Sequence, residues 1–362
     1  MKFYMPVRVF DEQECVKNHA KELCSFGKKA LIVTGKNSSF SNGSFDDAAE
    51  VLRSNGIDFE VFSEVEENPS TETIFAARDR FISEDIDHVI GIGGGSPMDA
   101  AKAIALALAH PDYLLDDLYD ASKASSALPV ICVPTTCGTG SEVTGVSVLT
   151  RHDKKTKISM VHKVFPALAL IDGKYIKNAS PSLIANSSVD ALSHLFESVL
   201  NSKADPYVRM TAMFGLREWS KTRDIITGER EASDIDRAFL MRSSVLAGMS
   251  IAQSGTSLPH ALSYTLTYDI GLPHGRAVGY FLPGFLAAAP DLDRDDLLHA
   301  AGFSGLPEFI LFIRKALGEI EVSEDELNKS FETVKSNAAK MRSASFAVDE
   351  KVLKGIVFDT KW

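Results

Sequence analysis

His88-Val89-Ile90-Gly91-Ile92-Gly93-Gly94-Gly95-Ser96-Pro97-Met98-Asp99 decides the fold. An apolar, β-branched run reads as a buried strand and gives way to three consecutive glycines. A helix then opens, with Ser96 as N-cap, Pro97 at the first helical position and Asp99 in the first turn. Glycines without a Cβ let backbone N–H groups approach a ligand, and the positive helix end favours phosphate. The stretch does not satisfy G-x-G-x-x-G, because Ser96 stands at the third glycine position, so that fingerprint is not claimed. Taken alone, three glycines also suit a plain strand-to-helix turn. A second turn, Pro134-Thr135-Thr136-Cys137-Gly138-Thr139-Gly140-Ser141-Glu142, follows the next apolar run and favours the phosphate reading. Two such turns at neighbouring strand ends border the crevice where α/β sheets bind nucleotides.

Outward from this point the same alternation recurs. Residues 30–34, 59–62 and 129–133 read as further buried strands, with amphipathic helical patterns over 46–54 and 71–82 between them. Strand and helix alternating at this spacing predict a parallel sheet covered on both faces. After about Asp172 the character changes. Residues 182–200, 207–220, 234–252 and 325–341 carry helical periodicity, the last opened by a capping box at Ser323-Glu324-Asp325-Glu326. The expectation is an α/β domain over 1–175 and an all-helical domain over 176–362.

The composition bounds the function. The chain has 362 residues, 45% of them hydrophobic, and a formal net charge of −11, which disfavours wrapping a polyanion. Cys15, Cys24, Cys132 and Cys137 have no paired spacing and read as reduced thiols of a cytoplasmic protein. The N-terminus lacks the apolar stretch of a secretory signal, and the longest apolar run, 277–290, is too short to span a bilayer.

The chemistry lies in the second half. Val189-Asp190-Ala191-Leu192-Ser193-His194 places Asp190 and His194 four residues apart, on one helical face. His260 and His274 stand in matching settings, Leu258-Pro259-His260-Ala261 and Leu272-Pro273-His274-Gly275. One carboxylate and three imidazoles from separate elements read as a site for a borderline divalent ion, Fe2+, Zn2+ or Mn2+. Singly, Asp190 fits a charge near a helix start and His194 a core histidine; the shared spacing and the two Pro-His settings favour the joint reading. His19, His88, His110, His152, His162 and His299 lack partners at useful spacing.

Together, Gly93 through Lys102, Pro134-Thr135-Thr136 through Glu142-Val143-Thr144, the Asp190/His194 pattern and the two Pro-His settings resemble the iron-containing (group III) alcohol dehydrogenases. The resemblance runs from Tyr4-Met5-Pro6 to about residue 285. It implies a dehydroquinate synthase-like architecture: a dinucleotide domain, a helical metal-binding domain and an active site in the cleft between them. It further implies iron held by Asp190, His194, His260 and His274. Gly94, Gly95, Ser96 and Asp99, with Thr135, Thr136 and Thr144, would surround the pyrophosphate and nicotinamide ribose. Lys157 and the Asn68-Pro69 turn match cofactor-side positions, and a homodimer is implied as well.

Three departures stand out: Tyr264 replaces a second histidine one turn after the third ligand, Ser188 replaces a glycine, and Phe10-Asp11-Glu12 replaces a glycine-containing turn. That histidine is usually assigned to proton release. A phenol with an ordinary pKa near 10 shuttles protons poorly at neutral pH, so Tyr264 is expected to donate a hydrogen bond at most.

In NAD-preferring relatives an aspartate commonly occupies the position of Gly35. Its absence, with Lys36, Ser38 and Ser39 nearby, predicts NADP(H) over NAD(H). The activity implied is hydride transfer between a nicotinamide cofactor and a small primary alcohol or aldehyde, with Phe281 and Leu282 suggesting an apolar one. Two other functions compete: a zinc-dependent polyol dehydrogenase of the glycerol type, and a nucleotide-binding protein without turnover.

Overall fold

The computed structural model describes residues 3–359; the outermost ends of the two expected domains, 1–2 and 360–362, lie outside it. Its sheet of six parallel strands is built from β1 (Arg8–Asp11), β2 (Lys29–Gly35), β3 (Asp58–Val65), β4 (His88–Gly93), β5 (Val130–Pro134) and β8 (Leu168–Ile171). The order across the sheet is β1-β8-β5-β4-β2-β3, with β2 and β4 in register from Ala30 opposite His88 to Thr34 opposite Ile92. Side chains alternate between faces. Leu31, Val33 and Val89 enter one core with Ile104 and Ile74, while Ala30, Ile32 and Ile90 enter the other with Leu52 and Val51. Burial on both faces is why these strands read as unbroken apolar runs, and truncating one such residue to alanine costs about 2–5 kcal/mol.

The chain leaves β2 for β3 on one side and returns to β4 on the other, so the order reverses between β2 and β4. The carboxyl ends of these strands, at such a reversal, are where open α/β sheets take ligands. Helices α1 (Ser44–Ser54), α2 (Thr71–Phe81) and α3 (Gly95–Ala109) cover the sheet, and the hairpin β6 (Val148–Arg151) and β7 (Thr156–Ser159) stands beside it. Helix α3 begins earlier than the sequence suggests. Its N-cap is Gly94, and the Ser96 hydroxyl instead accepts a hydrogen bond from the Asn68 N–H at 3.0 Å. Gly93 has φ 151°, and a Cβ there would meet the Pro97 ring at 2.6 Å, so the turn into α3 requires glycine at this position.

The contacts divide the chain into two units, one of Met5–Thr136 with Gly140–Asn178 and the other of Ala179–Trp362 joined by Cys137–Thr139 and the chain up to Tyr4. In the helical unit, α4 (Pro181–Val199) is buried continuously from Ser188 to Val199. A helix buried on every side belongs at the centre of a bundle, here with Asp190, His194 and Glu197 among its buried residues. It packs against α5 (Pro206–Ser220), α6 (Asp234–Ser254), α7 (Leu258–Asp269) and α8 (His274–Ala288). Trp219 on α5 is buried and donates to the Ser188 carbonyl at 2.8 Å. The capping box at Ser323 and Glu326 forms, but the helix expected over 325–341 ends at Lys335. Asn337 then caps a separate turn, accepting from the N–H groups of Ala339 and Lys340, a local hydrogen bond that competes with helix continuation. Among the described residues no helix is long and apolar enough to cross a membrane.

Candidate metal centre and cofactor loops

Three helices of the bundle carry the four expected ligands. Asp190 and His194 lie one turn apart on α4, His260 is the third residue of α7, and His274 opens α8 behind Pro273. Proline at or just before each helix start fixes the backbone on entry and removes a donor that would have no helical partner. Asp190 Oδ1 lies 3.3 Å from His260 Nε2, 3.6 Å from His274 Nε2 and 3.9 Å from His194 Nε2. Ligand atoms of Asp190, His260 and His274 all fall within 4.8 Å of one another. His194 stands slightly apart, its ring stacked on that of His260 with centroids 4.3 Å apart. Asp190, His194 and His260 are buried, whereas the His274 side chain keeps 27% of its exposure, so the cluster opens on the His274 side.

The donors fit a divalent cation. Asp190 Oδ1 and His260 Nε2 are inaccessible to water and complete no hydrogen bond. A buried carboxylate left this way is costly unless a cation joins it, and one oxygen with imidazole nitrogens is the donor set of Fe2+ or Zn2+. Burial alone would raise the Asp190 pKa, but the imidazoles of His194, His274 and His260 outweigh it and hold the carboxyl far below its usual range. Burial disfavours a charged His260; Glu197 and Asp190 overcome that and lift its pKa to about 9. At His194 burial prevails over Asp190, and the pKa falls. An incoming ion therefore competes with a proton at His260.

Sequence reasoning missed Glu197. It is fully buried on α4, and its Oε1 accepts from His260 Nδ1 at 2.5 Å and from the Ser193 hydroxyl at 2.5 Å. Its Oε2 accepts the Ser257 N–H at 2.6 Å. The signal was present: Asp190, His194 and Glu197 recur at i, i+4 and i+7, and Glu197 is a lone charge in an apolar stretch. Also unexpected is the role of the second glycine turn. Gly138 belongs to the helical unit, its carbonyl faces His194 Nδ1 at 3.3 Å, and a Cβ on it would lie 2.8 Å from the Ser187 carbonyl. Tyr264 lies beside His274, with ring centroids 6.3 Å apart.

The expected cofactor residues gather at the carboxyl ends of β2 to β5. Gly94, Gly95 and Ser96 form the start of α3, and Thr136 packs against Gly94. The Thr135 N–H donates to the Gly93 carbonyl, and Thr144 is buried where the Lys102 ammonium approaches its hydroxyl. Lys157 on β7 donates to Asn68 Oδ1 at 2.7 Å, and Thr150 on β6 donates to the Asn68 carbonyl, so the hairpin and the Asn68 turn hold each other.

The Asp99 carboxylate also ties α3 to the following loop, Oδ1 accepting from the Ser141 hydroxyl at 2.5 Å and Oδ2 from the Val148 N–H at 2.9 Å. One residue is corrected. Ser39 is fully buried, its hydroxyl turned inward onto that of Thr34, because the short helix Ser38–Ser41 rotates it away from solvent. Gly35 closes β2, and Lys36 and Ser38 remain exposed there.

Known proteins resemble this chain in sequence and in fold. A NADPH-dependent butanol dehydrogenase of Clostridium saccharobutylicum is 29% identical over 71% of this chain and 66% of its own length. A NAD-dependent methanol dehydrogenase of Bacillus methanolicus is 28% identical over 91% of this chain and 86% of its own. The crystal structure of an iron-containing alcohol dehydrogenase from Thermotoga maritima is 37% identical, covers 99% of both chains and superposes with a TM-score of 0.91. Residues 6–173 match the family described as iron-containing alcohol dehydrogenase, and residues 184–343 match the C-terminal family described as Fe-containing alcohol dehydrogenase. This chain belongs to the iron-containing alcohol dehydrogenase family.

Proposed function

We propose that the protein interconverts a small primary alcohol and its aldehyde, using NADP(H) in preference to NAD(H) and a divalent ion, iron by family. The observation that carries this reading is the convergence of buried Asp190 and His260 with the partly exposed His274, His194 stacked alongside, in a member of an oxidoreductase family. Asp190, His194, His260 and His274 would hold the ion, which when bound would supply Lewis acidity toward an alcohol or carbonyl oxygen beside a hydride-carrying nicotinamide.

The chain's own residues do the rest. Asp190 contributes the negative charge that retains a dication, and burial of the ligands keeps competing water from them. The exposed edge of His274 leaves the approach for substrate. Gly94, Gly95 and Ser96 present the start of α3 to a phosphate, and Lys157, held by Asn68, adds a cation nearby. The Tyr264 phenol, beside His274, offers a hydrogen bond to a substrate oxygen. The preference for NADP(H) rests on Lys36 and Ser38, exposed at the end of β2 with no acidic residue at Gly35 to repel a 2′-phosphate.

Metal analysis of the purified protein, with NADPH and NADH oxidation measured across short aldehydes and lactaldehyde and the reverse reaction with diols, tests the proposal. Bound ion and turnover of short aldehydes with a higher kcat/KM for NADPH are expected. Turnover confined to polyols with zinc, a preference for NADH, or no turnover by metal-loaded protein each defeats the corresponding part.

A further inference from the structure

We infer that Glu197 is a positioning residue of the metal centre: it holds the Nδ1 side of the His260 ring and so assigns Nε2, which faces Asp190, as the nitrogen an ion would take. The inference rests on the metal-site reading above and adds a fifth residue to it. An imidazole binds an ion only through a nitrogen without a proton, and its other nitrogen decides which one that is. His260 Nδ1 lies 2.5 Å from Glu197 Oε1. A carboxylate accepts, so Nδ1 donates to it, and Nε2, 3.3 Å from Asp190 Oδ1, is the nitrogen on which an ion would take the place of a proton.

The surroundings keep Glu197 in that role. It is fully buried, and its donors come from fixed places: the Ser193 hydroxyl on its own helix, and the Ser257 N–H and, at 3.5 Å, the His260 N–H at the start of α7. Those backbone groups are among the ones a helix start leaves unpaired, so one carboxylate both caps α7 and holds the ring that α7 delivers. The ligands are therefore unequal. His194 has only the neutral Gly138 carbonyl behind it, at 3.3 Å, whereas His260 is backed by a full charge.

Glutamine cannot replace this arrangement. Its carbonyl can serve His260 or Ser257 but not both. An amide NH2 turned to Nδ1 forces the proton onto Nε2, while one turned to Ser257 sets two donors against each other. The test compares full-length wild type with Glu197→Gln, each stripped of metal and titrated with Zn2+ against a competing chelator, and with Co2+ for its visible spectrum.

The expected result is about 10- to 100-fold weaker Zn2+ binding by the variant and an altered Co2+ band, with metal-free unfolding remaining cooperative. Equal affinity and an unchanged spectrum overturn the inference alone. A wild type that binds no ion overturns the functional reading and this inference with it. If Glu197→Gln does not fold, 15N-histidine NMR of the zinc-loaded wild type decides: His260 is expected to carry its proton on Nδ1 as a far-downfield resonance. A proton on Nε2 overturns the assignment.

Discussion

At the scale of single residues, the cofactor preference reduces to Lys36 and Ser38 once Ser39 is found turned inward onto Thr34, and Lys36 carries its charge. A lysine-to-phosphate contact at an exposed loop contributes about 1.5 kcal/mol, or roughly tenfold. Lys36→Ala is expected to lower kcat/KM for NADPH about tenfold and leave that for NADH within a factor of two, measured side by side. An equal loss with both cofactors removes Lys36 from phosphate recognition. Asp190 and His194 were legible because helical spacing alone puts them on one face, and the two Pro-His settings echo each other. Glu197 was not, because a carboxylate within Leu195-Phe196-Glu197-Ser198-Val199 declares its role only when α7 brings Ser257 and His260 to it. Ser39 misled for a related reason. Its residue type suits a phosphate loop, but a hydroxyl faces whichever partner the backbone offers first, here Thr34.

At the scale of elements, strands with apolar runs buried on both faces were readable, with boundaries displaced by up to three residues. The four-residue strands β1 and β8 and the β6–β7 hairpin were not, since so short a segment becomes a strand only through its neighbour. The Cys137–Thr139 turn illustrates the same limit, reading as a phosphate loop while docking on α4. Gly138→Ala would drive a methyl against the Ser187 carbonyl and push the Gly138 carbonyl away from His194. A stability loss of about 1–3 kcal/mol is expected, together with weaker ion binding, checked by chemical denaturation and chelator competition. A variant that loses neither shows that the turn yields without cost.

At the scale of the whole molecule, acid and metal set stability. His88 opens β4 with both ring nitrogens buried and without hydrogen bonds, and burial, opposed by Asp87, lowers its pKa to about 4. Above about pH 6.5 the ring is neutral folded or unfolded; below it the unfolded chain takes up a proton that the native ring refuses until about pH 4. Stability is therefore complete above pH 6.5 and falls toward pH 4, by about 3 kcal/mol at most. His88→Leu should flatten the decline of Tm across that interval, and an unaltered slope disproves it. Ion binding works in the other direction. Free Zn2+ at a hundred times its Kd should stabilise the folded state by about 2.7 kcal/mol, seen as a higher Tm that chelation reverses.

The partial exposure of His274, against the burial of its three companions, gives the cluster one edge that meets solvent. A chelator or a second metal would reach an ion held there at His274 first, so replacing His274 should speed metal exchange more than replacing any buried companion.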